Sequence, residues 1–168
     1  MTSKLGNIVL TMFGVGYISK LPGTIASLIT CLIFYIFCFF FSIKNILIPF
    51  IIFLIIISIF SIFFINKIYK NEDSKEIVID EFVGQNIPLL AWYNGDLNSS
   101  VIFSKYGLDL YSLEIWIILS FILFRFFDIL KPFPINLVDN RIKNGFGVIF
   151  DDIVAGIFST ATLYIIFI

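Results

Sequence analysis

The sequence contains no histidine among its 168 residues. This absence removes imidazole bases, histidine nucleophiles and most zinc sites at once. Cysteine is scarce as well, because Cys31 and Cys38 are the only two; their spacing of seven fits neither a CxxC redox pair nor a zinc pattern. Acid–base chemistry in this chain therefore falls to carboxylates, to lysine or to water held by a metal ion.

Charge is the second thing that the sequence has little of. Only 14% of the residues are charged, the net charge is -1, and the lysines are scattered, which excludes the basic surface that binding to nucleic acid requires. Hydrophobic residues make up 60% of the chain, with 22 Phe, and the mean hydropathy is +1.04. This composition is typical of an integral membrane protein, and residues 1–168 are expected to form a single domain in the lipid bilayer.

Long apolar runs mark the expected membrane spans. The runs at 25–43, 46–65 and 113–130 are each long enough to cross about 30 Å of hydrocarbon. Only Lys44 and Asn45 separate the first two runs, so we expect a tight turn and an antiparallel hairpin there. A shorter apolar run at 153–168 predicts a last span that begins just after two aspartates.

The positions of lysine and arginine predict the orientation of these spans. Basic residues stand before the first run, after the second and after the third, which places all three segments in the cytoplasm. A chain that is inside near Lys75 and again at Lys131 must cross twice in between, and one of these crossings must use residues 82–93. This stretch is short for a full span, so we expect either a thin or broken helix or a re-entrant segment there. The expected fold is an all-α bundle of about four to five transmembrane helices, with a polar site on the cytoplasmic face.

Four polar clusters fall on the predicted cytoplasmic side. They are LPGTIAS with Gly23 and Thr24, IVIDEFVG with Asp80 and Glu81, FRFFDILKPFPI with Arg125, Asp128 and Lys131, and FDDIVAG with Asp151 and Asp152. Each cluster alone has an ordinary explanation, such as a helix N-cap at Thr24, a solvated acidic loop, or acids at the positive end of a helix. Charges at a membrane are costly, however, so their joint presence at helix ends predicts that they line one pocket.

The residue types in this pocket indicate its ligands. The pocket would contain more carboxylates than cations, so it would repel a phosphate unless a divalent ion intervened. Several acids without histidine or paired cysteine favour magnesium over zinc. Magnesium, lysine and arginine beside an exposed helix start describe a site that handles phosphate. At the membrane face, that phosphate is expected to belong to a lipid headgroup.

The same clusters resemble the phosphatidylglycerophosphatase A family. The matching pieces are GVGYISKLPGTIAS at 14–27, IVIDEFVG at 77–84, FRFFDILKPFPI at 124–135 and GVIFDDIVAG at 147–156. The resemblance implies a helical, magnesium-dependent phosphatase of the bacterial inner membrane. Such an enzyme converts phosphatidylglycerol phosphate to phosphatidylglycerol with its active site facing the cytoplasm. Ala26 departs from the family pattern, where Gly is common, but it removes no chemical group.

Residue roles follow from the clusters and the resemblance together. Asp80, Glu81 and Asp152, with Asp128 or Asp151, are expected to hold magnesium, which lowers the pKa of a water molecule that attacks phosphorus. We expect the phosphate to be bound by Arg125, Lys131 and the amides near Gly23 and Thr24. The catalytic set is then Asp80, Glu81, Asp128, Lys131 and Asp152. A covalent aspartyl-phosphate route stays open.

Two other functions are alternatives at this point. A phosphotransferase acting on CDP-linked alcohols also uses aspartates and magnesium at the membrane face, but it expects a DG-x2-AR run, which this sequence lacks. A small ion carrier would place its carboxylates at mid-span, whereas these collect near helix ends. Neither alternative matches the clusters as well as the phosphatase.

Overall fold

The chain folds entirely into helices and loops in the part that the structure describes. The computed structural model describes residues 2–18, 20–41, 43–69, 74–94 and 112–167. The helices are α1 (Thr2–Leu10), α2 (Pro22–Phe40), α3 (Ile43–Ile68), α4 (Ile79–Leu90), α5 (Ser112–Leu130), α6 (Ile135–Arg141) and α7 (Gly145–Phe167), with 3-10 turns at Val15–Tyr17 and Ala91–Asn94. The all-α prediction is confirmed for these residues.

Three helices in the described ranges are long and apolar enough to cross a membrane. They are Pro22–Phe40, Leu47–Ile68 within α3 and Gly145–Ile166 within α7, with mean hydropathies of 2.2, 3.1 and 1.6. The expected count of four to five spans is not confirmed. The run at 113–130 forms the 19-residue helix α5, but that helix carries Glu114, Arg125 and Asp128, while α4 has only 12 residues.

The hairpin between the first two spans turns earlier than the sequence predicted. Helix α2 ends at Phe40, Phe41 is extended at φ -132° and ψ 142°, and α3 begins at Ile43. Lys44 and Asn45 therefore lie in the first turn of α3, so the prediction that they form the turn was wrong.

The last span also begins earlier than expected. The side chain of Asn144 caps α7, since its Oδ1 accepts hydrogen bonds from the amides of Phe146 at 3.0 Å and Gly147 at 3.1 Å. The helix thus starts at Gly145 rather than near 153. Asp151 and Asp152 consequently lie almost two turns inside the helix, where their side chains face neighbouring helices instead of the helix mouth.

Helix α4 occupies the centre of the bundle, where it packs against α2, α5 and α7. Eight of its 12 residues are buried, including Asp80. On one side, Cys31 and Phe34 of α2, Leu89 of α4 and Ile117 of α5 form an apolar cluster. This central position is what brings the acidic first turn of α4 against three other helices.

The outer helices anchor this centre and face outward with large apolar side chains. Helix α1, which the sequence reading did not anticipate, packs Leu10 against Phe64 and Ile65 of α3. Large hydrophobic residues on α2 and α3, such as Leu32 and Ile56, remain about 60% exposed. Such a surface is typical of a protein in contact with lipid.

Candidate metal and phosphate site

A cavity of about 270 Å³ opens where four helix ends meet. It is bordered by the start of α2, the start of α4, the end of α5 and the first two turns of α7. Its charged lining residues are the acids Asp80, Glu81, Asp128, Asp139, Asp151 and Asp152 and the cations Lys20, Lys75, Arg125, Lys131 and Lys143. In an otherwise apolar bundle, this concentration of both signs singles out the cavity as the candidate site.

Three carboxylates meet at the inner wall of this cavity. Oxygen atoms of Asp80, Glu81 and Asp152 all lie within 4.8 Å of one another, and we refer to these residues as the carboxylate triad. Asp80 is 8% exposed and Asp152 is 4% exposed. Like charges at this separation repel strongly when water is excluded, so the triad requires a cation or protons to remain together.

Glycine makes the approach of α4 to α7 close enough to assemble the triad. A Cβ at Gly84 would lie 2.6 Å from the backbone oxygen of Asp152, and a Cβ at Gly156 would lie 2.5 Å from the backbone oxygen of Gly84. Both distances are shorter than any carbon–oxygen van der Waals contact. Any other residue at Gly84 or Gly156 would therefore push the two helices apart and separate Asp152 from Asp80 and Glu81.

The donor set fits a hard divalent cation. All three triad residues offer oxygen, which magnesium and calcium prefer. Glu81 Oε2 and Asp152 Oδ2 are buried and, among the described residues, neither has a hydrogen-bond partner. Buried carboxylate oxygens are normally bonded, so two such atoms beside a third carboxylate mark the place where a metal ion would be coordinated.

Arg125 lies next to the triad on α5. Its Nη1 is 2.5 Å from Asp128 Oδ2, one helical turn along, and 3.8 Å from Glu81 Oε1. The side chains of Arg125 and Asp128 are only 14% and 12% exposed. Arg125 therefore balances part of the triad's negative charge while Asp128 fixes its guanidinium.

Lys131 follows α5 in the left-handed conformation, with φ +42°. Its amide donates to the oxygen of Phe127 at 2.9 Å, which closes the last helical turn in a position where glycine is usual. Its Nζ is 2.5 Å from Asp151 Oδ2 and 2.9 Å from Asp139 Oδ1. These two ion pairs offset the strain of a non-glycine residue at positive φ and direct the ammonium group into the cavity.

The two carboxylates also set the protonation of Lys131. Burial by itself would lower the pKa of this ammonium group, but the hydrogen bonds and charges of Asp151 and Asp139 outweigh burial and raise the pKa above its usual range. Lys131 is therefore cationic throughout the neutral range and available to an anionic ligand.

The start of α2 forms the remaining wall. Gly23 is the second residue of this helix and lies directly against Glu81 Oε1, with Arg125 Nη1 at 3.3 Å from where its Cβ would be. The first intrahelical bond runs from the amide of Ile25 to Leu21, so the amides of Gly23 and Thr24 have no acceptor within the helix. The N-cap is Leu21, and the explanation of Thr24 as a cap was therefore wrong.

Comparisons with known proteins identify the family of this chain. The family model described as Phosphatidylglycerophosphatase A matches residues 8–167. The chain belongs to the phosphatidylglycerophosphatase A family. No solved structure matches it.

Three curated proteins illustrate the relationship. The phosphatidylglycerophosphatase A of Haemophilus influenzae is 38% identical over 99 residues, which cover 56% of this chain and 47% of that protein. That of Escherichia coli is 35% identical over 94 residues, covering 56% and 45%. The chain spans about half the length of these two relatives. A Bacteroides thetaiotaomicron protein with the provisional name phosphatidylinositol-3-phosphatase is 31% identical over 151 residues, covering 89% and 85%.

All nine site residues expected from the sequence of this phosphatidylglycerophosphatase A family member line the same cavity. They are Gly23, Thr24, Asp80, Glu81, Arg125, Asp128, Lys131, Asp151 and Asp152. The acids among them differ in their contacts, however. Asp80, Glu81 and Asp152 form the triad, whereas Asp128 and Asp151 are engaged in ion pairs with Arg125 and Lys131.

Four further charged residues of the cavity were missed by the sequence reading. Asp139 lies on the short helix α6 and bonds Lys131, but no motif spacing connects two residues eight positions apart. Lys20, Lys75 and Lys143 line the same cavity and are exposed. Their positions were used only to infer orientation, although each stands a few residues before a helix that contributes to the site.

Proposed function

We propose that this chain is a magnesium-dependent lipid phosphatase that hydrolyses the terminal phosphate of phosphatidylglycerol phosphate to give phosphatidylglycerol and phosphate. The observation that carries the proposal is the carboxylate triad beside Arg125 and Lys131 in one cavity. Membership in the phosphatidylglycerophosphatase A family supports the choice of reaction and substrate.

The triad is the proposed magnesium site. Asp80, Glu81 and Asp152 would hold the ion through carboxylate oxygens, two of which are buried without a hydrogen-bond partner in the described part of the chain. When bound, the ion supplies positive charge toward the phosphate and activates a water molecule for attack. Asp128 and Asp151 would not bind the ion themselves. Each instead holds a cation in place, Asp128 that of Arg125 and Asp151 that of Lys131.

The phosphate would be bound by the cations and amides that border the triad. Arg125 and Lys131 provide two positive charges that are already oriented by carboxylates, so little reorganisation is required when the substrate arrives. The amides of Gly23 and Thr24, which have no acceptor within the helix, add donors at the positive end of a 19-residue helix. These groups would stabilise the negative charge that develops on the phosphoryl oxygens during transfer.

The location of the cavity fits a lipid substrate. It lies at the ends of helices whose remaining length presents apolar surface, so a headgroup can enter while the acyl chains stay in the bilayer. Exposed Lys20, Lys75 and Lys143 at its border suit the cytoplasmic leaflet of a bacterial inner membrane, where anionic headgroups are found.

The proposal is tested by phosphate release from purified protein in detergent. Phosphatidylglycerol phosphate should be hydrolysed in the presence of magnesium chloride, and a chelator should abolish the reaction. Phosphatidylinositol 3-phosphate belongs in the same assay because of the name of the Bacteroides relative. Equal rates with and without magnesium would reject the metal site, and the absence of phosphate release from either lipid would reject the phosphatase.

The same preparation separates the two alternatives. A phosphotransferase would consume a CDP-linked lipid and release CMP, and an ion carrier would change ion flux in vesicles without releasing phosphate. We expect neither result, because the charged groups gather around one cavity near helix ends rather than following a helix across the bundle.

A further inference from the structure

Helices α2, α4 and α5 meet in three successive levels beneath the cavity. At the upper level Gly23 contacts both Glu81 and Arg125. Two turns deeper, Cys31, Leu89 and Ile117 pack in one apolar cluster. Each of these residues is eight positions from its counterpart on the same helix, so the inclined i, i+4, i+8 row of each helix runs from the upper level to the lower one.

The intermediate level follows from this register. Residues four positions from the upper level are Ser27 on α2, Gln85 on α4 and Phe121 on α5. They lie on the same rows and halfway between the two levels. Phe121 packs against the lower apolar cluster, while Ser27 and Gln85 bring polar groups to the space directly under Glu81 and Arg125.

These polar groups are buried without direct partners. Ser27 and Gln85 are both 0% exposed. In the described ranges, Ser27 Oγ and both amide atoms of Gln85 find no hydrogen-bond partner, and the same is true of Glu81 Oε2 and Arg125 Nε just above them. Five unsatisfied polar atoms in one small region would be very unfavourable.

We infer that Ser27 and Gln85 hold ordered water beneath the carboxylate triad, and that Gln85 is a positioning residue that orients Glu81 and Arg125 through this water. A buried water needs two to four polar partners, and the donors and acceptors of this level provide them. Gln85 can donate toward the Glu81 carboxylate and accept from water bonded to the Arg125 guanidinium. The positioning role rests on the proposed magnesium site, whereas the water layer does not.

The water layer is tested by thermal unfolding of Gln85→Met in detergent without magnesium. Methionine keeps the approximate size of the side chain but removes both hydrogen-bonding groups. If the amide is bonded to water, the variant should lose about 2–4 °C in Tm. If the amide is simply buried and unpaired, its removal should leave Tm unchanged or raise it, which would overturn the inference.

The positioning role is tested by titrating magnesium. Outer groups that orient metal ligands typically change metal affinity by about 10–100-fold. We therefore expect Gln85→Met to raise the magnesium concentration for half-maximal phosphate release by about tenfold, and to reduce the increase in Tm that magnesium produces in the wild-type protein.

The matched control is Asn86→Leu. Asn86 is the next residue of α4, is also a buried amide, and bonds its own helix at Phe82. It lines an apolar groove with Phe37 and Phe50, and neither Glu81 nor Arg125 borders that groove. Its removal should lower Tm without changing the magnesium midpoint. Equal shifts in the midpoint for the two variants would reject positioning by Gln85.

A milder variant keeps the test decisive if Gln85→Met folds poorly. Ser27→Ala removes one hydroxyl from the opposite side of the same level, so it should shift the same two quantities in the same direction by smaller amounts. Failure of wild-type protein to release phosphate would count against the proposed function, while the Tm without magnesium would still decide whether the water layer exists.

Discussion

At the scale of single residues, the carboxylate triad is expected to lower the stability of the fold unless a cation is bound. Asp80, Glu81 and Asp152 bring oxygens within 4.8 Å of one another in a largely buried place. Three carboxylates in this arrangement repel one another, and only part of that repulsion is offset by Arg125, whose Nη1 is 3.8 Å from Glu81. Without a bound cation, the triad residues are therefore expected to destabilise the protein.

Asp152→Asn should separate function from stability. Removing one charge relieves repulsion, so Tm without magnesium should rise by about 2–4 °C, while phosphate release should fall by at least about a hundredfold because a metal ligand is lost. Tm and initial rates in detergent measure the two effects.

Glu114→Gln is the matched control for this variant. Glu114 lies at the opposite end of α5, about 16 Å from Arg125 along the helix, and accepts a hydrogen bond from Tyr35 at 3.2 Å. Its neutralisation should leave activity near that of the wild type. An Asp152→Asn variant as active as Glu114→Gln would remove Asp152 from the metal site.

Lys131→Met should lower kcat much more than it raises KM. The ammonium group is held by Asp151 and Asp139 and would meet charge that develops on the phosphoryl group, so we expect a loss of about 100-fold in kcat. Lys67→Met provides a control, because Lys67 lies at the end of α3 over the Phe63 ring and does not border the cavity. A change in KM alone would assign Lys131 to binding instead.

The pH dependence of this contribution has a definite sign. The pKa of Lys131 is raised in the folded protein, so its ion pairs stabilise the fold fully below the ordinary lysine pKa of about 10.4 and lose this effect only as pH rises through the higher folded value. Lys131 therefore stays charged between pH 7 and about pH 10. Initial rates of the wild type and of Lys131→Met, each divided by its own rate at pH 7, should follow the same curve over this range.

At the scale of helices, the site depends on contact between α4 and α7. This contact is possible because Gly84 faces the backbone of Asp152 and Gly156 faces the backbone of Gly84, and it sets Asp152 against Asp80 and Glu81. A shift of α7 by the thickness of one methyl group would move Asp152 by a comparable distance. Metal coordination tolerates only small displacements, so packing at this point affects chemistry directly.

Gly156→Ala should therefore reduce both stability and activity. The new Cβ would lie 2.5 Å from the Gly84 oxygen and 3.0 Å from Ile87 Cβ, and overpacking of this kind costs about 1–3 kcal/mol. Ala161→Val adds volume at an exposed position of the same helix and should change neither property. A Gly156→Ala protein with normal Tm and normal magnesium response would contradict this account of the helix contact.

Sequence patterns predicted the helices better than their ends. The apolar runs identified α2, α3, α5 and α7, but α7 begins at Gly145 because Asn144 caps it. Helix α1 was missed because a polar, glycine-containing segment carries little apolar signal, although Gly6 allows it to pack closely on Phe64. Hydropathy records neither the side-chain hydrogen bonds that cap a helix nor the close packing of one helix on another.

At the scale of the whole molecule, orientation in the membrane stays a prediction. The distribution of basic residues places Asn140, beside the cavity on α6, in the cytoplasm. Asn98, on the expected outer side, lies outside the described residues. An even number of crossings between Asn98 and Asn140 would place them on the same side of the membrane, and an odd number would place them on opposite sides.

Cysteine labelling tests this orientation. In intact cells, a membrane-impermeant thiol reagent should label Asn98→Cys, and Asn140→Cys should react only after the membrane is opened. The unmodified chain is the control, since Cys31 is buried and Cys38 half-buried within α2. Labelling of both new cysteines in intact cells would contradict the predicted topology.

The lysines at the border of the cavity should act on substrate capture. Replacing Lys20, Lys75 and Lys143 together by Gln removes three exposed positive charges, so KM for the anionic lipid should rise by about tenfold with little change in kcat. High salt should reduce the difference between the two proteins, because screening weakens the wild-type attraction. An unchanged KM at low salt would exclude this role.

The sequence by itself determined the class of the protein and predicted residues that line one cavity of the fold. Length and hydropathy of the apolar runs predict membrane helices, and the absence of histidine leaves carboxylates, lysine and arginine for the chemistry. Only the tertiary structure decided how those charges are divided. Asp80 and Glu81 are joined to Asp152 by the α4–α7 contact, while Asp128, Asp139 and Asp151 hold the cations. The reason is physical: identical carboxylates differ in role only through the neighbours that folding brings within a few ångströms.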